Sequence, residues 1–202
     1  MRGAVLAGGA ASRYGGIPKG LLKVCGRRIL DRVVEAVAWV TRDMPLLVAN
    51  APDASSWRAE LDTMADVRPG YGTLGGIYTA LSWADDEPVL CVAWDMPFIT
   101  APLLRALIER FAQDDCDAVL PESGGRRNVE PLCAVYGPAC RPAIERRLER
   151  GDLMAISFHA DVRIGILSLD RVREFGDPAE LFFNVNTPDD LERAEQLCRR
   201  LG

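Results

Sequence analysis

Histidine is all but missing from this chain: His159 stands alone among 202 residues. Six cysteines are present (Cys25, Cys91, Cys116, Cys133, Cys140 and Cys198), but none forms a CxxC pair, so there is no zinc set of the usual spacing. No run reaches the roughly 18 apolar residues that a membrane helix needs, and no signal-peptide core leads the chain. A soluble cytoplasmic protein is therefore expected, its cysteines reduced and serving mostly as core filler. Positive charge is in deficit too. Twenty-four Lys and Arg face 29 Asp and Glu, a net charge of -5, which argues against a chain-wide nucleic-acid surface. No repeat, low-complexity run or Ser/Gly linker divides the sequence. Residues 1–202 thus read as one domain, and at 49% hydrophobic content it can bury a full core. A single histidine outside any motif is weak support for a catalytic role.

What is present is an alternation. Apolar runs suited to buried strands fall at residues 4–6, 46–49, 89–93, 118–120, 132–136, 162–167 and 181–183. Helix-period segments at 29–40, 74–84, 102–112, 139–149 and 188–201 lie between many of them or follow. Strand, helix, strand implies crossover connections, hence an α/β fold with a mostly parallel sheet and helices on both faces. The last helix announces its start: Thr187 can cap, Pro188 suits the first helical position, and Asp189 and Asp190 favour the positive end of the dipole. That start puts "FFNVN" at a strand's carboxyl edge, where open α/β sheets bind ligands, with Asn184 and Asn186 on one side by strand parity.

The stretch "AVLAGGAASRYGGIPKGLLKVCG" at 4–26 follows the first strand. Its glycines, at 8, 9, 15, 16 and 20, match neither a dinucleotide-binding GxGxxG nor a Walker loop. They still suit phosphate: glycines let consecutive backbone N–H groups approach an anion, and Arg13 and Lys19 supply positive charge. Alone, such a loop admits a second reading, as a set of turns with solvated cations. Four other stretches fall near the same sheet edge. In "VLCVAWDMPF", Asp95 follows a buried strand, where a carboxylate suits a hard cation such as Mg²⁺ or caps its own turn. "PGYGTLGGIYTAL" brings a second glycine-rich turn, 70–76, into a helix. "NVEPLCAVY" carries Glu130 and Pro131 into a strand, and "NVN" offers the two asparagines.

Together, "LAGGAASRYGGIPKGLL", "GTLGGIYTAL", "WDMP", "EPLCAVY" and "FFNVNTPDDL" resemble the molybdenum cofactor guanylyltransferases, the MobA-like branch of the nucleotidyltransferases, across residues 5–191. The resemblance implies a three-layer α/β/α sandwich of the nucleotide-diphospho-sugar transferase, Rossmann-like type. It implies GTP and Mg²⁺ binding, with GMP transferred to molybdenum-molybdopterin and pyrophosphate released. By the same resemblance, Leu6, Ala7, Gly8 and Gly9 line the nucleotide, and Asn50 and Asp66 contact it further. Lys19 and Arg13 serve its phosphates, and Asp95 holds the metal. Gly75, Asn184 and Asn186 fall on the acceptor side. Two positions depart from the family's habit: Thr73 stands where GPLxG has proline, and Trp94 precedes the acid where a smaller residue is common.

An acceptor phosphate is already anionic, so the transfer needs no general base, which accords with a chain nearly devoid of histidine. Cytidylyl transfer to the same cofactor, transfer to sugar or lipid phosphates, and a nucleotide-binding module without turnover remain the alternatives. Cofactor-delivering or molybdoenzyme-maturation proteins are the partners such a role would bring, with no nucleic acid or membrane partner and a monomer or weak homo-oligomer as the assembly. Arg126 and Arg127 form a basic pair in a loop, either an anion contact or simply solvated.

Overall fold

The computed structural model describes residues 1–8, 18–125 and 128–201. The chain opens on β1 (Arg2–Ala7); after a 3-10 turn at Lys19–Leu21 comes a small hairpin of β2 (Lys23–Val24) and β3 (Arg27–Arg28). Its reversal falls on Cys25 and Gly26, both at positive φ. α1 (Ile29–Thr41), β4 (Leu46–Ala49), β5 (Thr63–Met64), α2 (Gly72–Trp83), β6 (Val89–Ala93) and α3 (Ala101–Gln113) follow. The second half holds β7 (Ala118–Pro121), β8 (Cys133–Tyr136), α4 (Cys140–Glu149), β9 (Ile164–Leu167), the short α5 (Leu169–Arg173) and α6 (Pro178–Leu181), and α7 (Pro188–Leu201). Among the described residues no helix is long and apolar enough to cross a membrane.

The main sheet runs β5-β4-β1-β6-β8-β7-β9. β1 pairs in parallel with both β4 and β6, and β8 alone runs against its neighbours β6 and β7. Every residue of β4 and β6 is buried, as expected of strands covered on both faces by crossover helices. Side chains along β1, β4 and β6 divide between two cores. Val5, Leu47, Leu90 and Val92 meet the α1 and α3 side, with Leu30, Val33, Val34, Leu103 and Leu107. Leu6, Leu46, Val48, Val89 and Cys91 meet the α2 and α4 side, with Leu74, Ile77, Ile144 and Leu148. The expected α/β/α layering and mostly parallel sheet are borne out.

Helix starts follow local chemistry. Thr100 accepts the Leu103 amide at the head of α3. At α7 the Asp190 amide donates to Thr187 Oγ1 (3.2 Å), while Asp190 Oδ2 accepts the amides of Asn186 (3.0 Å) and Thr187 (2.8 Å), a reciprocal cap. Those bonds to Asp190, with burial opposing them, hold its carboxyl below the usual carboxylate range.

Two expectations fail. Residues 181–183 form no strand: Asp177 caps the short α6 by accepting the Ala179 amide, Leu181 ends that helix, and 183–186 run as an irregular segment. The apolar residues are buried by docking of a helix end and loop, which a short apolar run cannot distinguish from a strand. The cysteines are not all reduced thiols either, because Cys25 and Cys198 are joined by a disulfide across 173 residues, with Cα atoms 6.3 Å apart. The tight β2–β3 reversal carries Cys25 to the end of α7, and its amide donates to Glu195 Oε1 (2.9 Å). Cys91, Cys133 and Cys140 are buried thiols as expected, and Cys116 is partly buried.

Leu90→Ala removes a fully buried side chain at the centre of the sheet. It is expected to lower the unfolding free energy by about 2–5 kcal/mol. Urea titration checks this, and a loss below about 0.5 kcal/mol would contradict the packing described.

Candidate active site

Where β1, β4 and β6 end side by side, their carboxyl ends border a crevice of about 550 Å³. β1 supplies Leu6, Ala7 and Gly8; β4 supplies Val48 and leads to Asn50; β6 supplies Ala93 and leads to Trp94 and Asp95. The opposite wall comes from Asp66, Gly70 and the first turns of α2, through Gly72, Thr73 and Gly76. The chain leaves β1 toward β4 on one side and returns to β6 on the other, so the crevice sits at the switch point of strand order, the usual ligand position in such sheets.

One end of the crevice is charged. Lys19, in the 3-10 turn after Pro18, and Asp95, two residues past β6, are each only 9% exposed. Lys19 Nζ lies 3.8 Å from Asp95 Oδ2 and donates a hydrogen bond to Asn186 Oδ1 at 2.6 Å. The Val185 amide donates to the Asp95 carbonyl at 3.0 Å, which brings the 183–186 segment to this point. Burial pushes the Asp95 carboxyl above the ordinary carboxylate range, and the Lys19 ammonium pulls it back only in part.

Trp94 makes this corner solid. Its amide donates to the Leu6 carbonyl at 3.2 Å, and its ring stacks on Trp57 with centroids 5.0 Å apart. A Cβ at Gly20 would overlap the Trp94 ring, so glycine next to Lys19 is what admits the tryptophan.

The other end is polar and uncharged except for Asp66. Asn50 clasps that residue twice: its Oδ1 accepts the Asp66 amide (2.8 Å) and its Nδ2 donates to Asp66 Oδ2 (2.7 Å). The loop from Asp66 thus stays against the end of β4. Gly76 lies across from the Leu6 side chain, 3.8 Å from a Cβ placed on it.

The structure thus brings Leu6, Ala7, Gly8, Asn50, Asp66 and Asp95 to one crevice, with Lys19 and Asn186 beside Asp95. Asn184 turns away onto its own backbone, donating to the Phe182 carbonyl at 3.0 Å, because the segment lacks the strand parity expected of it. Gly75 is buried inside α2 and faces the loop, where a Cβ would lie 3.3 Å from the Arg68 carbonyl; its neighbour Gly76 lines the crevice. Gly9, Arg13, Arg126 and Arg127 lie outside the described residues. His159 is half-buried with its ring edge on Phe158; burial lowers its pKa to about 4, and it is not among the crevice residues. Sequence reasoning passed over Thr73, Gly76, Val48 and Leu132. Helical spacing could have found two of them, since 73 and 76 share the face of α2 that Gly72 opens.

The folded carboxyl of Asp95 titrates above its usual value, so its ionised form opposes folding and its neutral form favours it. Asp95→Asn, which mimics the neutral form, is expected to melt no lower than wild type at pH 7. That advantage should shrink as pH falls through the raised pKa and vanish below the ordinary aspartate value, where both side chains are neutral. Melting temperatures of the two proteins from pH 3 to 8 check this; a variant less stable at pH 7 that recovers in acid would reverse the sign.

Residues 3–162 match the MobA-like NTP transferase domain. A protein from Desulfosudis oleivorans named molybdenum cofactor guanylyltransferase is 36% identical over 196 residues, spanning 96% of this chain and 94% of that one. One of the same name from Vibrio cholerae is 32% identical over 194 residues, spanning 93% and 87%. The crystal structure of molybdopterin-guanine dinucleotide biosynthesis protein A from Archaeoglobus fulgidus superposes with a TM-score of 0.82 at 28% identity, over 99% of this chain and all of that one. With the match running across the crevice strands and both glycine-rich turns, the chain belongs to the MobA-like NTP transferase domain family.

Proposed function

We propose that this chain is a molybdenum cofactor guanylyltransferase, which moves GMP from GTP to the phosphate of molybdenum-bearing molybdopterin and releases pyrophosphate. The observation that carries the reading is the meeting of Lys19, Asp95 and Asn186, drawn from three distant parts of the chain, at one end of a crevice whose other end holds Asn50 and Asp66.

In the proposed reaction an oxygen of the acceptor phosphate attacks the α-phosphorus of GTP in line with the bridging oxygen. A new phosphoanhydride P–O bond forms, the bond from the α-phosphorus to that oxygen breaks, and pyrophosphate leaves with the electron pair. No proton has to be removed from the attacking group. What the protein contributes is positioning and charge neutralisation. Lys19 is well aimed for both, because its hydrogen bond to Asn186 fixes the side chain, and an ammonium offers three N–H donors to share between that bond and phosphate oxygens. Leu6, Ala7 and Gly8 bring main chain to the crevice from the end of β1, where a phosphate can approach without Cβ interference at position 8.

Asp95 fits a hard divalent cation, because it is a buried carboxylate whose charge one ammonium 3.8 Å away offsets only in part. It would hold Mg²⁺, and the ion would supply further neutralisation of the triphosphate when bound. What favours a guanosine nucleotide is Asp66. One carboxylate oxygen is committed to Asn50, and the rest of the group, lining the crevice, is an acceptor only. Guanine presents adjacent N1–H and N2–H donors to such an acceptor, whereas cytosine presents a single amino group beside an acceptor nitrogen.

Lys19→Ala is expected to lower turnover on the order of 10²-fold or more, and Asp95→Asn to lose metal-dependent turnover while the chain stays folded. Pyrophosphate release with GTP, Mg²⁺ and molybdenum-loaded molybdopterin measures both; wild-type rates in either variant would remove the residue from its role. A thermal-shift panel of GTP, CTP, UTP and ATP with Mg²⁺ tests the base, since a bound ligand raises the melting temperature by mass action. GTP should give the largest shift, and a larger one with CTP or UTP would replace the guanylyl reading.

A further inference from the structure

We infer that Thr79 is a positioning residue for nucleobase recognition: its buried hydroxyl sets where Asp66 sits in the crevice. The inference rests on the proposed reading of that crevice as a guanosine nucleotide site.

Leaving aside aromatic and cysteine side chains, three residues carrying a polar or charged side chain are withdrawn to 9% exposure or less among the described residues: Lys19, Asp95 and Thr79. The first two form the charged end of the crevice. Thr79 is fully buried on α2, flanked along the helix by the buried apolar residues Ile77, Ala80 and Leu81. Valine would fill the same volume there without a hydroxyl to satisfy. A threonine inside a helix commonly returns its hydroxyl to the carbonyl one turn back, and Thr79 does so, donating to Gly75 at 2.9 Å. Its oxygen also accepts a second bond from outside the helix, the Val67 amide at 3.0 Å.

Val67 follows Asp66. The Asp66 amide donates to Asn50 Oδ1 and the Val67 amide to Thr79 Oγ1, so both N–H groups that bracket the Asp66 backbone are held by side chains of different elements. Apolar packing does not hold the loop here, because the Val67 side chain is 54% exposed. Gly75 lets the loop come this close: a Cβ there would meet the Arg68 carbonyl at 3.3 Å and Asp66 Oδ2 at 3.9 Å. With backbone and one carboxylate oxygen both fixed, Asp66 presents its remaining lone pairs in one place. Losing the Thr79 bond leaves the Val67 amide without its partner and frees the loop to turn the carboxylate, while Lys19 and Asp95 at the far end stay as they are.

The test uses the full chain with Mg²⁺ and compares wild type, Thr79→Val and Thr79→Ser. The nucleotide is whichever of GTP, CTP, UTP and ATP the wild type binds most tightly by calorimetry. Thr79→Val should raise Kd and KM on the order of tenfold, the effect of one lost buried hydrogen bond. It should narrow the preference among bases and leave kcat within about twofold of wild type, as expected when only nucleotide binding is weakened. Thr79→Ser, which keeps the hydroxyl, should restore both. The inference is overturned if Thr79→Val binds and discriminates like wild type, if kcat falls with KM unchanged, or if Thr79→Ser is as impaired as Thr79→Val. Amide exchange on the unsubstituted chain probes the same link independently of how the variants fold: the Val67 N–H should exchange slowly despite its exposed side chain, and fast exchange contradicts the bond. A wild-type preference for a nucleotide other than GTP would sink the guanosine reading alone, with Thr79 still judged by the three-way comparison; binding of no nucleotide would overturn both.

Discussion

An ammonium and a carboxylate, each about nine-tenths withdrawn from water, stand 3.8 Å apart at the end of the central strand β6. Burying two charges is unfavourable unless their remaining hydrogen-bonding capacity is met. Among the described residues it is met only in part. The ammonium donates to Asn186, and the carboxyl of Asp95 is left with its pKa raised by burial. At 3.8 Å the two charges are not in direct hydrogen-bond contact, and both lie beside the crevice. Much of the surrounding architecture serves to hold them there. β6 delivers Asp95, Gly20 and Trp57 accommodate the Trp94 ring that packs the corner, and the Val185 amide ties the segment bearing Asn186 to the Asp95 carbonyl.

The opposite end of the crevice follows another logic, with neutral side chains fixing a single acid. Asn50 reaches Asp66 from the end of β4 with both ends of its amide, and Thr79 reaches the next peptide from within α2. The charged end and the aimed acceptor are separated along one sheet edge, so that under the proposed reading base binding and phosphate chemistry can be perturbed independently.

Much of this was legible in the sequence. Buried parallel strands announce themselves as unbroken apolar runs, and β1, β4 and β6 fell where those runs lie; α7 starts at Pro188 because Thr187 and Asp190 cap it. Asp95 could be found as an acid just past a strand. Other features could not be read, because they depend on contacts between distant positions. Lys19 and Asn186 are 167 residues apart, and only folding shows that one donates to the other. The disulfide between Cys25 and Cys198 has the same character, since spacing carries no pairing information across so long a separation. The run at 181–183 misled because apolar residues burying a helix end look like those burying a strand, and with the strand went the shared orientation of Asn184 and Asn186. Trp94, an oddity in the sequence, becomes intelligible once Gly20 is seen beneath its ring.

The most direct measurement is a crystal structure with a non-hydrolysable GTP analogue and Mn²⁺ in place of Mg²⁺, its metal located by anomalous scattering. The expected result is a metal peak in direct contact with the Asp95 carboxylate, the triphosphate against Lys19, and the guanine edge on Asp66. A triphosphate bound elsewhere, or a metal with no contact to Asp95, would contradict the central claim that the buried pair is held open for a nucleotide.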